Sequence, residues 1–203
     1  MSAEIIPIFP TAIYRARLRG LSIEENQVLS DDILTDVNRQ GNKTSISSTL
    51  LDNPKLANLK LLFLQHVHAY AAEIIKTQCQ FYMTNSWQNK NSQGQPHDLH
   101  NHRNSVLSGV FYINVENSQN SICFNRITPP FFMEFETSEY TSYNSIDWTI
   151  PVEDNMLIIF PSTLYHNVPI NYTAVPRRSI SFNTFVQGNF NNDTKVSSSL
   201  RTL

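Results

Sequence analysis

Metal-binding side chains are concentrated in one short segment of the chain, residues 96–105, which read PHDLHNHRNS. His97, Asp98, His100 and His102 lie within six positions there, although the whole chain has only six histidines among its 203 residues. Imidazole and carboxylate groups are common ligands of first-row transition metals in proteins. On an extended strand, residues two apart point to the same face, so His100 and His102 are placed to reach one ion. The spacing therefore predicts the first half of a metal site.

A metal site needs at least a third ligand, and His166 is the candidate. It follows the apolar run MLIIF and a turn that contains Pro161, so we expect it at the end of a buried strand. Asp98 is an alternative ligand, or a partner that accepts the outer ring proton of a ligating histidine. The remaining histidines, His66 and His68, lie in a predicted helix and are assigned no chemistry.

A second group of polar side chains lies on the predicted strand RRSISFN, residues 177–183. Arg177, Ser179, Ser181 and Asn183 share one face of this strand. A guanidinium flanked by hydroxyls suits a carboxylate, which it binds through two parallel hydrogen bonds. The segment therefore predicts a carboxylate-binding site, and the alternative is an arginine paired with a structural acid.

The strand that carries the H-x-H is expected to continue through residue 115. The residues that share the parity of His100 and would face a cavity are Asn104, Val106, Ser108, Val110 and Tyr112. The opposite face would pack on a helix through Leu107, Phe111, Ile113 and Val115. The residues predicted to line a substrate pocket are Asn85, Trp87, Asn104 and Tyr112.

One clear helix is predicted, at about residues 54–76. Asn53 is a favourable N-cap, and Pro54 suits the first helical position because its missing N–H would have no partner there. Apolar side chains then recur at three- and four-residue intervals and form one stripe, which consists of Leu56, Leu59, Phe63, Val67, Tyr70 and Ile74. The stripe indicates a helix that packs on a sheet. No helix is expected in the first fifty residues, where two short runs look extended.

From Phe81 onward the hydrophobic period changes to two. The apolar runs are FYMTNSW, VLSGVFYINV, SICF, FFMEFE, WTIPV, MLIIF and SISFNTFV. Short strands separated by Asn, Ser, Gly and Pro favour a β-sandwich, barrel or jelly roll. We therefore predict a mainly β fold with a β core at about 81–186 and the helix packed on one sheet. A single domain would span residues 1–188, followed by a polar tail at 189–203.

Composition narrows the classes of function. The chain has 15 basic and 17 acidic side chains, so it lacks the electropositive footprint of a nucleic-acid-binding protein. It has neither an apolar run long enough to span a bilayer nor the pattern of a secretory signal, so we expect no membrane association and a cytoplasmic location. Cys79 and Cys123 lie in apolar surroundings, lack the spacing of a zinc site or a disulfide framework, and are expected to be buried thiols.

Several stretches, taken in order, resemble a known family. They are IFPTAIYRARL, SWQNKNSQGQPHDLHNHRNSVLSGVFYINV, MLIIFPSTLYHNVPI and RRSISFN. They resemble 2-oxoglutarate- and Fe(II)-dependent oxygenases known mostly from marine bacteria and their phages, over most of residues 5–186. The resemblance implies a double-stranded β-helix, which is the jelly roll of that superfamily. Asn155 stands where related sequences tend to have Gly, and Asn also tolerates the left-handed backbone conformation.

The resemblance also implies an activity. The chain would be a mononuclear non-haem dioxygenase that uses Fe(II), 2-oxoglutarate and O2 to hydroxylate an unknown small-molecule or peptidyl substrate, with release of succinate and CO2. By position, His100, His102 and His166 would hold the iron, and Arg177 with Ser179 would hold the distal carboxylate of 2-oxoglutarate. Most members of the superfamily have Asp or Glu at the second ligand position. Two alternatives stay open: a cupin-like metalloprotein that does not use 2-oxoglutarate, and a non-enzymatic jelly-roll structural or binding module.

Overall fold

Strands in two sheets, together with two α-helices, form the framework of the part of the chain that the structure describes. The computed structural model describes residues 2–36, 42–115, 120–133, 135–190 and 200–202. The helices are α1, Ile23–Asp31, and α2, Ala57–Tyr70. The strands are β1 Tyr14–Arg17, β2 Leu34–Asp36, β3 Lys43–Ser45, β4 Gln80–Asn91, β5 His97–His100, β6 Leu107–Ile113, β7 Ser121–Asn125, β8 Asp147–Pro151, β9 Met156–Pro161, β10 Tyr165–Val168, β11 Arg177–Phe190 and β12 Leu200–Thr202.

The two sheets pack face to face as a jelly roll. The large sheet has the strand order β1-β9-β6-β11-β4-β3-β2, with β12 paired to β11, and the small sheet has the order β5-β10-β7-β8. From β4 to β11 the chain crosses repeatedly between the sheets, which is the winding of a double-stranded β-helix. Apolar side chains from both sheets, including Tyr112, Ile122 and Phe160, form one buried cluster between them. The predicted fold class is confirmed.

The helix predicted at 54–76 corresponds to α2, which a 3₁₀ turn at Pro54–Leu56 precedes and a π-helical turn at Ala71–Ile75 follows. The Asn53 side chain accepts a hydrogen bond from the Lys55 N–H and caps the first turn. The buried members of the apolar stripe are Leu56, Leu59, Phe63, Val67 and Tyr70. Ile74 is instead 50% exposed, because the wider π turn shifts it out of the stripe.

Aromatic rings join α2 to the large sheet. The ring centroid of Phe63 lies 5.2 Å from that of Phe111 and 5.3 Å from that of Phe182. Phe182 also covers Gly109 on the neighbouring strand β6, where a Cβ atom would lie 2.1 Å from the Phe182 ring. Packing therefore requires a glycine at this position of β6.

The first fifty residues do contain a helix, so the expectation that they are non-helical is wrong. Ser22 and Glu25 form a capping box at the start of α1, in which each side chain accepts a hydrogen bond from the other residue's backbone N–H. Arg19 donates to both carboxylate oxygens of Glu25, which is 3% exposed. The S-x-x-E pattern is a start signal visible in the sequence, but α1 buries only Glu25 and Leu29 and so lacks an apolar stripe. No helix in the described part of the chain is long and apolar enough to cross a membrane.

Two other stretches differ from the prediction. The run FFMEFE at 131–136 forms no strand among its described residues, and Phe132 is fully exposed. The predicted domain end at residue 188 falls inside β11, and residues 200–202 of the predicted tail pair with residues 188–190. The rest of that tail, 191–199 and 203, lies outside the described residues.

Candidate functional site

Three histidines converge between the two sheets. His100 ends β5, His102 follows it, and His166 lies on β10. The ring centroid of His166 is 4.3 Å from that of His100 and 5.1 Å from that of His102, and the last two are 5.2 Å apart. One ring nitrogen from each histidine lies within 4.8 Å of the others, so the three groups can hold one metal ion.

The backbone around the H-x-H differs from the continuous strand predicted there. β5 ends at His100, residues 103–104 form a turn, and Asn104 has a φ of 59°. The His102 N–H donates to the Ser162 carbonyl at 2.9 Å, which fixes this residue beyond the end of its strand. Val115 packs between the sheets rather than toward α2, because β6 ends at Ile113 and Asn114 has a φ of 52°. The two histidines still face one ion site because the turn begins only after both.

Hydrogen bonds fix the protonation pattern of two of the rings. His100 Nδ1 lies 2.7 Å from the Asp98 carbonyl oxygen, and His166 Nδ1 lies 3.0 Å from the Leu164 carbonyl oxygen. A carbonyl oxygen can only accept, so Nδ1 carries the proton in both rings. Their Nε2 lone pairs are therefore available to a metal. His102 Nδ1 contacts the side-chain amide of Asn183 instead.

Burial keeps the imidazoles of His102 and His166 uncharged at neutral pH. It lowers the pKa of His102 to about 4 and that of His166 to about 3, with a smaller contribution from the neighbouring His100 in both cases. The rings of Phe160 and Phe124 lie 4.7 and 6.1 Å from the His166 ring and make its surroundings apolar. Neutral imidazole is the form that binds metals, so His102 and His166 need not lose a charge-bearing proton first.

The same cavity is cationic at its other end. Arg177, Ser179 and Ser181 on β11 line it, and Tyr112 on β6 lies directly opposite Ser179. Arg177 is 3% exposed, and its Nη1 donates to the Asn120 side-chain oxygen at 3.1 Å. Among the residues that the structure describes, Arg177 forms no ion pair. The alternative of an arginine paired with a structural acid is therefore not supported.

Two buried polar atoms in this part of the cavity have no hydrogen-bond partner, namely Arg177 Nη2 and Tyr112 Oη. A buried donor without a partner costs about 1–3 kcal/mol. Burial lowers the pKa of Arg177 and raises the pKa of Tyr112, but a guanidinium stays charged under these conditions, and the phenol keeps its proton. Both groups are thus donors that a ligand with acceptor oxygens would satisfy.

The structure places two of the four predicted substrate-pocket residues on this cavity, Trp87 and Tyr112. Asn104 is exposed in the turn after His102. Asn85 has the expected parity, but it lies past Trp87, whose ring is 5.7 Å from that of His102, and it does not line the cavity. The structure therefore does not support Asn85 and Asn104 as pocket residues.

Asp98 contributes through its backbone. Its side chain is exposed and does not belong to the cluster of metal-binding groups found in the described residues. Its carbonyl oxygen accepts from His100 Nδ1. The backbone carbonyl of Asp98, and not its carboxylate, is therefore the partner of a candidate ligating histidine. The carboxylate does not offset charge at the site.

His97 lines the cavity, although sequence reasoning gave it no role. A β-bulge explains its position, because the two-residue step from His166 to Val168 on β10 is matched by a three-residue step from His100 to His97 on β5. The rings of His97 and His100 therefore point to the same side and stack with centroids 4.5 Å apart. Burial lowers the pKa of His97 to about 4. Nothing in the local sequence signals this bulge.

A second and larger cavity, of about 700 Å³, lies beyond the His166 side of the site. Aromatic side chains such as Phe9, Tyr143 and Trp148 form much of its wall. The cavity reaches Phe124 and Leu164, both of which contact His166. Its size is within the range of small-molecule pockets, about 300–1,000 Å³.

Fold and site together define the class of protein, a double-stranded β-helix with three histidines that can hold one metal ion and, in the same cavity, an arginine that forms no ion pair with any described residue. A family model described as "Putative 2OG-Fe(II) oxygenase" matches residues 85–183, which is just under half of the chain. This segment contains all three histidines, Arg177 and Ser179, so the residues that form the candidate site lie within the part of the chain that is similar to that family. A search of curated proteins found no significant match.

Three solved structures illustrate the similarity in fold. HygX from Streptomyces hygroscopicus, with nickel, 2-oxoglutarate and hygromycin B bound, has a TM-score of 0.60 and 12% identity over 86% of this chain and 82% of its own. A Pseudomonas putida prolyl-4-hydroxylase has a TM-score of 0.55 and 10% identity over 85% of this chain and 92% of its own. A 2OG-Fe(II) oxygenase family oxidoreductase from Burkholderia pseudomallei has a TM-score of 0.57 and 9% identity over 78% and 76%. At these identities the likeness concerns the fold.

The family match and the metal site identify the protein as an enzyme of the 2OG-Fe(II) oxygenase class, with Fe(II) and 2-oxoglutarate as its cofactors. The alternative of a non-enzymatic module is not supported. The substrate is unknown.

Proposed function

We propose that this enzyme is a mononuclear non-haem dioxygenase that hydroxylates a small-molecule or peptidyl substrate. His100, His102 and His166 would hold the iron, and Arg177 with Ser179 would bind the distal carboxylate of 2-oxoglutarate. The observation that carries the proposal is the pair of buried unpaired donors, Arg177 Nη2 and Tyr112 Oη, in the cavity that the three imidazoles line.

The residues present fit both groups. Imidazole nitrogens suit Fe(II), and a guanidinium fork with an adjacent phenol and hydroxyl suits a carboxylate. No described residue that lines the cavity carries a carboxylate, so a dicarboxylate would meet no like charge there.

Each group around the cavity has a distinct role. The carbonyls of Asp98 and Leu164 hold His100 and His166 with Nε2 toward the metal. Arg177 orients 2-oxoglutarate by its far end, and the rings around His166 exclude water. When bound, Fe(II) and 2-oxoglutarate supply the oxidative chemistry, in which O2 is consumed and succinate and CO2 are released. The protein supplies position and a dry site.

The test is a calorimetric titration of 2-oxoglutarate into anaerobic protein loaded with Fe(II). We expect metal-dependent binding that His166→Ala and Arg177→Ala both abolish. His68→Gln is the matched control, because His68 only accepts a hydrogen bond from the Phe81 N–H, outside the cavity. If 2-oxoglutarate still bound to both the His166→Ala and the Arg177→Ala protein, the proposed function would be wrong. Metal binding without any role for Arg177 would favour the cupin-like alternative.

The origin of the chain in a marine bacterium or phage, its cytoplasmic location and the absence of a nucleic-acid partner stay predictions. The second cavity supports a substrate that has an apolar or ring-bearing part, because the aromatic walls of this cavity adjoin the residues that contact His166. Product analysis with candidate substrates would test this expectation.

A further inference from the structure

A buried chain of polar groups continues behind His102, on the side away from the metal. His102 Nδ1 contacts Asn183 Oδ1, which also accepts from the Ser108 hydroxyl at 2.7 Å. The hydroxyl oxygen of Ser162 lies 2.7 Å from those of Ser108 and Ser105. Ser108 and Ser162 are 0% exposed and Asn183 is 7% exposed. Uncharged side chains therefore support the second histidine, whereas backbone carbonyls support the other two.

The orientation of the Asn183 amide decides whether His102 can bind a metal. With the amide oxygen toward the ring, His102 Nδ1 donates its proton and Nε2 has a free lone pair. With the amide reversed, its NH₂ group would donate to Nδ1, and the ring proton would lie on Nε2 and block a metal. Backbone carbonyls, which can only accept, hold His100 and His166. The tautomer therefore depends on the orientation of an amide only at His102.

In the structure the oxygen of the Asn183 amide faces both the His102 ring and the Ser108 hydroxyl. In that arrangement the Ser108 hydroxyl donates to Asn183 Oδ1, and the Ser162 hydroxyl donates to Ser105. Ser105, at the far end of the chain, donates to the Leu107 and Thr184 carbonyls, both at 3.1 Å. Thr184 Oγ1 donates to the Leu107 carbonyl at 2.8 Å, and the Val106 N–H donates to the Thr184 carbonyl at 2.9 Å. Every hydroxyl proton of the chain therefore has an acceptor while the Asn183 oxygen faces both Ser108 and the His102 ring.

We propose that Asn183 is a positioning residue for the metal. Its amide oxygen, held by Ser108, keeps His102 in the tautomer whose Nε2 is free, and it does so without adding a charge. This inference rests on the proposed function, because it concerns the metal that His102 would hold. Groups that hold a metal-binding histidine from behind typically contribute about 10- to 100-fold to metal affinity.

Three variants separate this role from a structural one. Asn183→Leu removes the acceptor, and we expect Fe(II) binding, measured anaerobically by calorimetry, to weaken by about 10- to 100-fold. Asn183→Asp keeps an acceptor that cannot reverse, so we expect it to bind Fe(II) at least as tightly as the wild type. Thr184→Val is the matched control, because it removes a buried hydrogen bond next to Asn183 without touching His102. It should lower the stability of the fold and leave Fe(II) affinity within about twofold.

A second measurement needs no metal. Long-range ¹H–¹⁵N correlation spectra of the metal-free protein distinguish the two tautomers of each histidine, and we expect His102 to carry its proton on Nδ1. A proton on Nε2, or unchanged Fe(II) affinity in Asn183→Leu, would overturn the inference and leave the metal site standing. Failure of the wild type to bind Fe(II), with His102 protonated on Nδ1, would instead overturn the proposed function and with it the metal role of Asn183.

Discussion

Replacement of Arg177 by methionine should separate binding from stability. Arg177 is buried, forms no ion pair among the described residues, and has one hydrogen bond, to Asn120, with Nη2 unpaired. A buried charge without a partner costs several kcal/mol, whereas the single bond to Asn120 contributes about 1.5–3 kcal/mol. Methionine fills similar space without charge. We therefore expect the metal-free Arg177→Met protein to be as stable as the wild type or more stable.

The same change should nearly abolish binding of 2-oxoglutarate. Two charge-assisted hydrogen bonds to a carboxylate contribute about 1.5–3 kcal/mol each. Their loss corresponds to an increase in Kd of roughly 10²- to 10⁴-fold, at about 1.4 kcal/mol for each factor of ten. Urea unfolding of the metal-free protein gives the stability, and anaerobic calorimetry with the iron-loaded protein gives the Kd.

Arg178→Met is the matched control, because Arg178 lies on the same strand but points to the other side. Its guanidinium donates to the Gln88 side chain and to the Leu29 carbonyl at the end of α1. We expect this variant to lose stability and to keep its affinity for 2-oxoglutarate. The reasoning would be refuted if Arg177→Met lost more than about 3 kcal/mol of stability, or if its Kd stayed within tenfold of the wild type.

Three further outcomes follow from the structure. Gly109→Ala should cost about 3 kcal/mol in urea unfolding, because the added Cβ meets the fixed ring of Phe182; a loss below about 0.5 kcal/mol would contradict the packing. Glu25→Gln should cost about 1–2 kcal/mol at pH 7. The hydrogen bond from Arg19 lowers the pKa of Glu25, so this difference should begin to shrink as the pH falls below the unfolded value of about 4.3 and should be lost as the pH falls through the lower folded value; a difference that stays constant over the whole acid range would count against it. Burial lowers the pKa of three cavity imidazoles to between about 3 and about 4. The metal-free protein should therefore lose stability as the pH falls below about 6.5, by up to roughly 1.4 kcal/mol per unit for each ring, and equal stability at pH 7.5 and 5 would argue against their burial.

Local patterns predicted the parts of the site that depend on one strand. Arg177 and Ser179 share a face because strand residues alternate, and this holds whatever strands lie beside β11. His97 could not be placed in this way, because its direction depends on a bulge in the pairing of β5 with β10. The alternation of strand residues also predicted the direction of the Asn85 side chain. It could not predict where the cavity ends, because that point is set by the ring of Trp87.

The fold was predictable where burial and periodicity agree. The apolar stripe of α2 marks a helix, and the alternating runs after Phe81 mark strands. The helix α1 was missed because its stability comes from a capping box and an ion pair with Arg19, which leave almost no hydrophobic pattern. The run FFMEFE was misread for the opposite reason, since it is apolar but its described residues have no strand partner.

The charge of the site explains why an anionic cosubstrate is so well matched to it. Three neutral imidazoles leave both positive charges on a bound Fe(II), and Arg177 adds a third in the same cavity. A bound dianion such as 2-oxoglutarate reduces the net positive charge of the cavity to one. With a carboxylate in place of His102, the same dianion would reduce it to zero. Asp98 cannot supply such a carboxylate, because its side chain is exposed and lies in water, where charge is screened. The uncharged Asn183 behind His102 keeps the excess of positive charge, so the cavity should hold dianions strongly and depend on Arg177 to select those of the right length.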